Sequence, residues 1–259
     1  MLQDILVEQN GPVCTLTLNR PEKRNALSPG LLLLLESTLR TLSGDIRVVV
    51  MQGAGDKAFC AGFDLSQPPG TAASPQPDAQ KLLAQALDAV GSVRCPVIAK
   101  VRGYCMGAGL ELALSCDIRI AADDTRFAMP PARLGTIYPP AGLWKFVRLI
   151  GAAATKELFF TGAPIHHARA LELGLVNQVV PADALAQAVD AMVQDIASAA
   201  PLSVGALKQM INRLAAMPTL GPEEQRHFDE LMNRVRSSDD YKEGRRAFAE
   251  KRKPEYRGR

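Results

Sequence analysis

Short apolar segments alternate with helical patterns along the first half of this chain. Residues 46–51 form a mostly apolar run, which is typical of a strand covered on both faces. A helix is predicted over 29–42, where Ser28 supplies a cap, Pro29 occupies the first turn and leucines form one stripe. A second helix is predicted over 79–92, followed by a strand at 96–101. Strands alternating with helices predict an α/β fold with parallel pairing.

The remaining elements complete this pattern. Asn10-Gly11, flanked by alternating apolar residues, predicts a β-hairpin. From 139 onward the pattern is mostly helical, and 67–78 is a low-complexity segment that we expect to be a surface loop. We expect a core over 1–200 and a helical region over 201–259. The other predicted elements are a helix within 103–115, strands at 117–121 and 176–180, and helices at 182–199, 202–216 and 222–236.

Composition narrows the function classes. The chain of 259 residues has 30 Lys and Arg against 27 Asp and Glu, a balance that argues against a general nucleic-acid binder. No apolar run approaches the roughly 20 residues of a membrane span, and the N-terminus does not resemble a signal peptide. The five cysteines are odd in number and form no Cys-x-x-Cys pair. We therefore expect a cytoplasmic protein with reduced thiols and no membrane or nucleic-acid partner.

Two glycine-rich turns concentrate the chemistry. Residues 59–65 follow the strand at 46–51, and residues 103–111 follow the strand at 96–101 and open a helix. Glycines allow close approach of a ligand, and a helix start offers unpaired N–H groups. One N–H from each turn would together hold an oxygen that becomes negative during a reaction. Two other interpretations stay open: glycines that only permit tight packing, and a dinucleotide loop, for which Leu112 stands where the third glycine is needed.

At these turns the sequence resembles the crotonase family, the enoyl-CoA hydratase/isomerase superfamily. Each motif alone is weak, but their order along nearly the whole chain is specific. The motifs are Asn19-Arg20-Pro21, Asn25-Ala26-Leu27, the segment 59–65, Gly103-Tyr104, Gly107-Ala108-Gly109, Glu111-Leu112-Ala113, Cys116-Asp117, Leu134-Gly135 and the segment 247–254.

The resemblance implies a crotonase-like spiral of ββα units with a C-terminal helical trimerisation region, assembled as a homotrimer or a dimer of trimers. It implies an acyl-CoA thioester substrate, with coenzyme A present only as part of that substrate and no metal or redox cofactor. The thioester oxygen would sit between the backbone N–H groups of Phe63 and Ala108. The residues that the resemblance places near coenzyme A are Lys23, Arg24, Ala26, Ala61, Gly62, Asp64, Leu65, Gly107 and Lys251, with Lys253 as an alternative to Lys251.

One position departs from the hydratase pattern. Typical hydratases place two glutamates around the water, and the first maps to Glu111. The second maps to Pro131, which cannot transfer a proton. The segment instead resembles the methylmalonyl-CoA decarboxylase branch, which has proline there and a tyrosine close behind, here Tyr138. That branch often has histidine where this chain has Phe63, but only the backbone N–H is needed at that position.

These features support three hypotheses. The first is an acyl-CoA lyase that stabilises an enolate and decarboxylates a malonyl-type thioester, with Tyr138 orienting the carboxylate. The second is an enoyl-CoA hydratase or isomerase that uses Glu111 alone, and the third is a non-catalytic acyl-CoA-binding protein. Several polar residues are expected to be structural: Asp64 as a turn cap, Arg133 as a bridge, and His166, His167 and His227 as surface residues.

Overall fold

The computed structural model describes residues 3–66, 78–215, 222–252 and 254–255. The chain divides into two compact units, one of residues 1–127 with 166–215 and one of residues 128–165 with 216–259. This division does not test the expected boundary at residue 200, which stays a prediction. Most of the expected surface loop, 67–77, and Lys253 lie outside the described residues.

The strands form two sheets. One sheet has six strands in the order β1-β2-β3-β5-β7-β10, and the other has four in the order β4-β6-β8-β9. The strands are β1 (Ile5–Asn10), β2 (Val13–Leu18), β3 (Val48–Gly53), β4 (Ala58–Cys60), β5 (Val97–Val101), β6 (Tyr104–Met106), β7 (Ile118–Ala122), β8 (Arg126–Ala128), β9 (Ile165–His166) and β10 (Gln178–Val180).

The pairing confirms the predicted hairpin and the predicted parallel core. Strands β1 and β2 pair antiparallel around Asn10-Gly11, with Asn10 opposite Val13. From β2 onward every neighbouring pair of the six-stranded sheet is parallel. The α/β architecture with parallel pairing predicted from the sequence is therefore present, and the trimerisation region stays a prediction.

The helices match the predicted periodicity closely. Helix α1 begins after Ser28, whose Oγ accepts a hydrogen bond from the Leu31 N–H, as its cap was predicted to do. The bounds are α1 (Pro29–Arg40), α2 (Ala79–Ser92), α3 (Ala108–Ser115), α4 (Pro140–Thr161), α5 (His167–Glu172), α6 (Leu185–Ser198), α7 (Pro201–Ala215), α8 (Pro222–Ser237) and α9 (Asp239–Ala249). No described helix is both long enough and apolar enough to cross a membrane.

Strand β3 is apolar along its length because both of its faces are buried. Val48 and Val50 pack in one cluster with Leu185 and Val189 of α6, whereas Val49, on the alternate face, is equally inaccessible. Burial of a valine or leucine side chain contributes about 1.5–3 kcal/mol. The strand begins two residues later than predicted, since Ile46 and Arg47 lie in the irregular segment between the turn at 44–45 and β3.

Within the first unit, a buried lysine fastens helix α7 to its neighbours. The ammonium of Lys208 lies 2.8 Å from Asp117 Oδ2 and donates to the carbonyl of Cys95 at 3.0 Å. Asp117 Oδ2 also accepts the N–H of Val97, the first residue of β5. One carboxylate therefore joins a helix, a strand and the segment that follows α3.

We expect Lys208→Ala to destabilise the protein by about 2–3 kcal/mol, because it leaves a partly buried carboxylate and a carbonyl without their cation. The measurement is the urea midpoint followed by circular dichroism. Lys242→Ala is the matched control, since Lys242 forms an exposed pair with Asp239 that should contribute under about 1 kcal/mol. Equal midpoints for the two variants would contradict this role of Lys208.

Candidate active site

The loop before α1 is fastened by a buried asparagine. Asn25 Oδ1 accepts the N–H of Arg20, and its Nδ2 donates to the carbonyls of Ala54 at 3.0 Å and Ala58 at 2.8 Å. Asn25 itself has a φ of +56°, a conformation that asparagine tolerates better than most residues. Because the anchor is buried, the neighbouring Lys23 and Arg24 are presented to solvent on a fixed backbone.

This loop also fixes the first glycine-rich turn. The N–H of Ala61 donates to the carbonyl of Arg24, the N–H of Leu27 donates to the carbonyl of Gly62, and the N–H of Asp64 donates to the carbonyl of Leu27. Phe63 lies between these bonds and pairs with Leu27 as an isolated parallel bridge. Within the described part of the chain, the N–H of Phe63 has no hydrogen-bond acceptor.

The second turn ends at the start of α3. Gly107 has φ +52° and ψ −126°, a conformation outside the helical region that is open chiefly to glycine, so the helix begins at Ala108 rather than nearer Gly103. The N–H groups of a helix's first turn have no partner within the helix. The carbonyl of Gly107 accepts the Glu111 N–H at 3.0 Å, while the N–H of Ala108 meets no acceptor among the residues described.

The two turns are in direct contact. A Cβ atom at position 62 would lie 3.1 Å from the Met106 carbonyl oxygen and 3.6 Å from the Ala108 nitrogen. A Cβ atom at position 109 would collide with the backbone oxygen of Cys60. These glycines do permit tight packing, and the same packing brings the peptide next to Phe63 against the Ala108 amide.

Glu111 is a buried carboxylate one turn into α3. Its residue is 5 % exposed, and the Oγ of Ser115 donates to its backbone carbonyl. It lies three residues after Ala108 on the same helix, so the two share a helical face. The structure thus places the predicted oxyanion donors and Glu111 within the first unit.

Asp64 does act as a turn cap, as predicted, and it has a second partner. Its Oδ1 accepts from the Ser66 N–H at 3.1 Å, and its Oδ2 lies 2.7 Å from Arg20 Nη2. Burial opposes ionisation of this carboxyl, but the hydrogen bonds from Ser66 and Arg20 outweigh it and hold the pKa below its usual value. Sequence reasoning missed this role of Arg20, whose only signal was its place in the Asn-Arg-Pro motif.

The other predicted coenzyme A contacts of the first unit line the same loop and turns. Ala26 is buried, Ala61 is partly exposed, and Leu65 is 42 % exposed at the end of the first turn.

Cys60 and Cys105 lie behind these turns as fully buried core residues, and burial raises the pKa of the Cys60 thiol to about 12. No described group of His, Cys, Asp or Glu has a metal-binding arrangement.

The second unit holds the remaining predicted residues. Pro131 precedes a short 3₁₀ helix, Ala132–Leu134, and Arg133 donates to the carbonyl of Thr161, which fits a structural role. Tyr138 is half-buried, with its ring edge-to-face against Phe159 at 5.5 Å between centroids. Lys251 is exposed just after α9. The catalytic and binding roles of Tyr138 and Lys251 stay predictions.

The three histidines differ from one another. His166 and His227 are exposed, in agreement with their expected surface positions. His167 is only half-exposed, and its Nδ1 is buried with no hydrogen-bond partner in the described part of the chain. His167 is therefore less exposed than the other two histidines, and its assignment as a surface residue stays a prediction.

The lowered pKa of Asp64 predicts a pH-dependent contribution to stability. A carboxyl whose pKa is depressed by folding stabilises the protein above its unfolded value of about 3.9, and this contribution is lost as the pH falls further. The urea midpoint of Asp64→Asn should therefore lie below that of the wild type at pH 7, and the gap should narrow below about pH 4. Asp183→Asn, at an exposed site, is the control and should follow the wild type throughout.

Comparison with known proteins identifies the family of the chain. The profile of the family described as enoyl-CoA hydratase/isomerase matches residues 8–259. The (E)-benzylidenesuccinyl-CoA hydratase of Thauera aromatica is 37% identical, over 98% of this chain and 99% of its own length. The short-chain-enoyl-CoA hydratase of Clostridium acetobutylicum is 34% identical, over 98% of this chain and 97% of its own length.

A solved structure extends the similarity to the decarboxylase branch. A methylmalonyl-CoA decarboxylase in complex with 2-nitronate-propionyl-CoA superimposes with a TM-score of 0.92 at 31% identity, covering 100% of both chains. The resemblance predicted from Pro131 and Tyr138 is thereby supported. The chain belongs to the enoyl-CoA hydratase/isomerase family, the crotonase superfamily of enzymes that act on acyl-CoA thioesters.

Proposed function

We propose that this protein is an acyl-CoA lyase that binds a thioester carbonyl between the N–H groups of Phe63 and Ala108. The observation that carries the proposal is that neither N–H has an acceptor among the described residues, although their turns are in contact through Gly62. Ala108 is buried, and a buried backbone donor is rarely left without a partner. Together with the N–H of the half-buried Phe63, it suits an oxygen that gains negative charge in the reaction.

Within this chemistry we favour decarboxylation of a malonyl-type or alkylmalonyl-type thioester. Pro131 stands where a hydratase carries its second glutamate, so the usual two-carboxylate hydration lacks one proton-transfer group. Tyr138 follows in the same segment, and the similarity to methylmalonyl-CoA decarboxylase covers the whole chain. These two features together support the decarboxylase assignment.

In this reaction each of the proposed residues has a separate role. Tyr138 donates a hydrogen bond to the carboxylate and holds it out of the thioester plane. The bond between the carboxylate and the adjacent carbon breaks, CO₂ leaves, and the electron pair moves into the carbonyl oxygen to form an enolate. The amides of Phe63 and Ala108 stabilise that oxygen, each contributing about 3–4 kcal/mol. A proton from water then adds to the carbon, and the saturated thioester is released.

A second candidate is an enoyl-CoA hydratase or isomerase. It is favoured by the burial of Glu111 on the helix that starts at Ala108, and by the relatives in Thauera aromatica and Clostridium acetobutylicum, which are named as hydratases. In this reaction Glu111 alone would move the proton.

The proposal includes the assembly and the cofactor. We propose a homotrimer or dimer of trimers, supported by exposed apolar side chains on α7, such as Leu202 and Leu214. We also propose that coenzyme A enters only as part of the substrate and that catalysis needs no metal. Light scattering of the purified protein tests the assembly, and activity after dialysis against EDTA tests the need for a metal.

The wild-type protein should release CO₂ from methylmalonyl-CoA or ethylmalonyl-CoA at a rate far above the spontaneous one. The measurement is CO₂ release with chromatographic detection of the saturated thioester. Rapid hydration of crotonyl-CoA without CO₂ release would instead favour the hydratase. Binding of these thioesters with no conversion of either would indicate a non-catalytic acyl-CoA-binding protein.

Two substitutions distinguish the catalytic role of Tyr138 from that of Glu111. In a decarboxylase, Tyr138→Phe should lower kcat by about 10- to 100-fold, because the carboxylate loses the hydrogen bond that orients it. Glu111→Gln should change kcat less than Tyr138→Phe does. The reverse order of effects would assign the chemistry to Glu111.

Gly62→Ala tests the contact between the turns. Position 62 has a φ of +97°, and an added Cβ would press on the Met106 carbonyl, so the two amides should move out of line and kcat should fall by 100-fold or more. Gly91→Ala is the matched control, since a Cβ there meets nothing within 4 Å and should leave kcat unchanged. Full activity in Gly62→Ala would contradict the proposed site.

A further inference from the structure

Helix α4, in the second unit, contains a sharp break at Gly151. This residue has φ +75° and ψ 164°, a combination that is essentially confined to glycine. The carbonyl of Gly151 accepts a hydrogen bond from the Oγ1 hydroxyl of Thr155 at 2.7 Å, and Thr155 is buried. The two segments of the helix, 140–150 and 152–161, therefore have a defined relative direction.

The break brings two aromatic rings of α4 into contact. Residues 146 and 159 would lie about 20 Å apart along a straight helix. The rings of Phe146 and Phe159 instead meet edge-to-face, with 5.0 Å between their centroids and 84° between their planes. Both side chains are buried, with Phe146 0 % and Phe159 6 % exposed. Core packing on both sides of the break thus holds the Phe159 ring in place.

Phe159 also contacts Tyr138, which lies just before α4. Their rings meet edge-to-face, with 5.5 Å between centroids and 80° between planes. Tyr138 belongs to the irregular segment 136–139, and a residue that precedes a proline, here Pro139, is restricted to extended backbone conformations. The sequence therefore limits the backbone at Tyr138, while its ring packs against a side chain that is itself buried.

We propose that Phe159 is a positioning residue that holds the Tyr138 hydroxyl in line with the carboxylate of the substrate. The inference rests on the proposed function, because Phe159 acts only through the hydrogen bond assigned to Tyr138. An edge-to-face contact favours one angle between two rings, whereas an aliphatic side chain fills the space without selecting that angle. A hydrogen bond weakens steeply as its angle departs from linear, so a tilt of the Tyr138 ring lowers the rate.

The experiment measures kcat and KM for a malonyl-type thioester that the wild type converts, in Phe159→Leu, Tyr138→Phe and the double variant. Phe159→Leu should lower kcat by about 3- to 10-fold, in the range expected of one edge-to-face pair, and change KM by less than about twofold. In the Tyr138→Phe background, the same substitution should leave kcat within about twofold, because no hydroxyl remains to be positioned. A merely structural role of Phe159 would lower kcat in both backgrounds.

Phe160→Leu is the matched control, because Phe160 is the next residue of α4 and is 71 % exposed. It should leave kcat unchanged in both backgrounds. Phe159→Met also removes the ring and should behave as Phe159→Leu does, and circular dichroism confirms that each variant is folded.

Fluorine NMR of protein labelled with meta-fluorotyrosine gives a readout that does not need turnover. The Tyr138 resonance is identified by its absence in Tyr138→Phe. It should shift in Phe159→Leu, because the neighbouring ring current is lost, and stay in place in Phe160→Leu. An unchanged Tyr138 resonance in Phe159→Leu would overturn the contact on which the inference depends.

The outcomes separate this inference from the proposed function. A wild type that releases no CO₂ from any malonyl-type thioester contradicts the proposed function itself. A wild type that releases CO₂, with an unchanged kcat in Phe159→Leu, overturns only the positioning role of Phe159. Equal losses of kcat in the wild-type and Tyr138→Phe backgrounds also overturn it, since the effect would then not pass through the Tyr138 hydroxyl.

Discussion

The close approach of two backbone turns determines the rest of this site. Gly62 lies against the Met106 carbonyl and the Ala108 amide, and Gly109 lies against the Cys60 carbonyl. No other residue type fits at these two contacts without displacement of backbone. Each glycine costs conformational entropy on folding, about 0.5–1 kcal/mol relative to alanine. Glycine is needed at these two positions because the two turns contact each other there. The contact puts the N–H groups of Phe63 and Ala108, which have no acceptor among the described residues, on adjoining turns.

Polar groups hold the turns in this arrangement. Asn25 joins its loop to the segments around Ala54 and Ala58, and the pair of Arg20 with Asp64 closes the first turn from the other side. Both are largely buried, so breaking either would leave a polar group without a partner in a medium where that is costly. A preorganised oxyanion site needs this rigidity, because donors that must first reorient stabilise the developing charge less.

Much of this arrangement could be predicted from the sequence, for identifiable physical reasons. The hairpin at Asn10-Gly11, the cap at Ser28 and the bounds of α2 follow from local turn chemistry and helical periodicity, which act over a few residues. Strands β4 and β6 were not predicted, since each has three residues and shows no measurable alternation. The role of Asn25 was also missed, because its partners lie about 30 residues away and only the folded chain brings them together.

An oxyanion site of the proposed kind suits several reactions, so the side chains around it would decide which one occurs. Hydration must deliver a hydroxide and a proton in one event, for which two proton-transfer groups are suited and a glutamate with a proline is not. Decarboxylation generates the enolate from its own departing CO₂, so it needs no base and requires only that the carboxylate be held at the right angle. In the proposed assignment, the amides of Phe63 and Ala108 are kept and Pro131 stands in place of the second carboxylate, which leaves what decarboxylation needs. The proposal rests on Pro131 rather than on overall identity, because relatives named as hydratases and a decarboxylase are similar to this chain to a comparable degree.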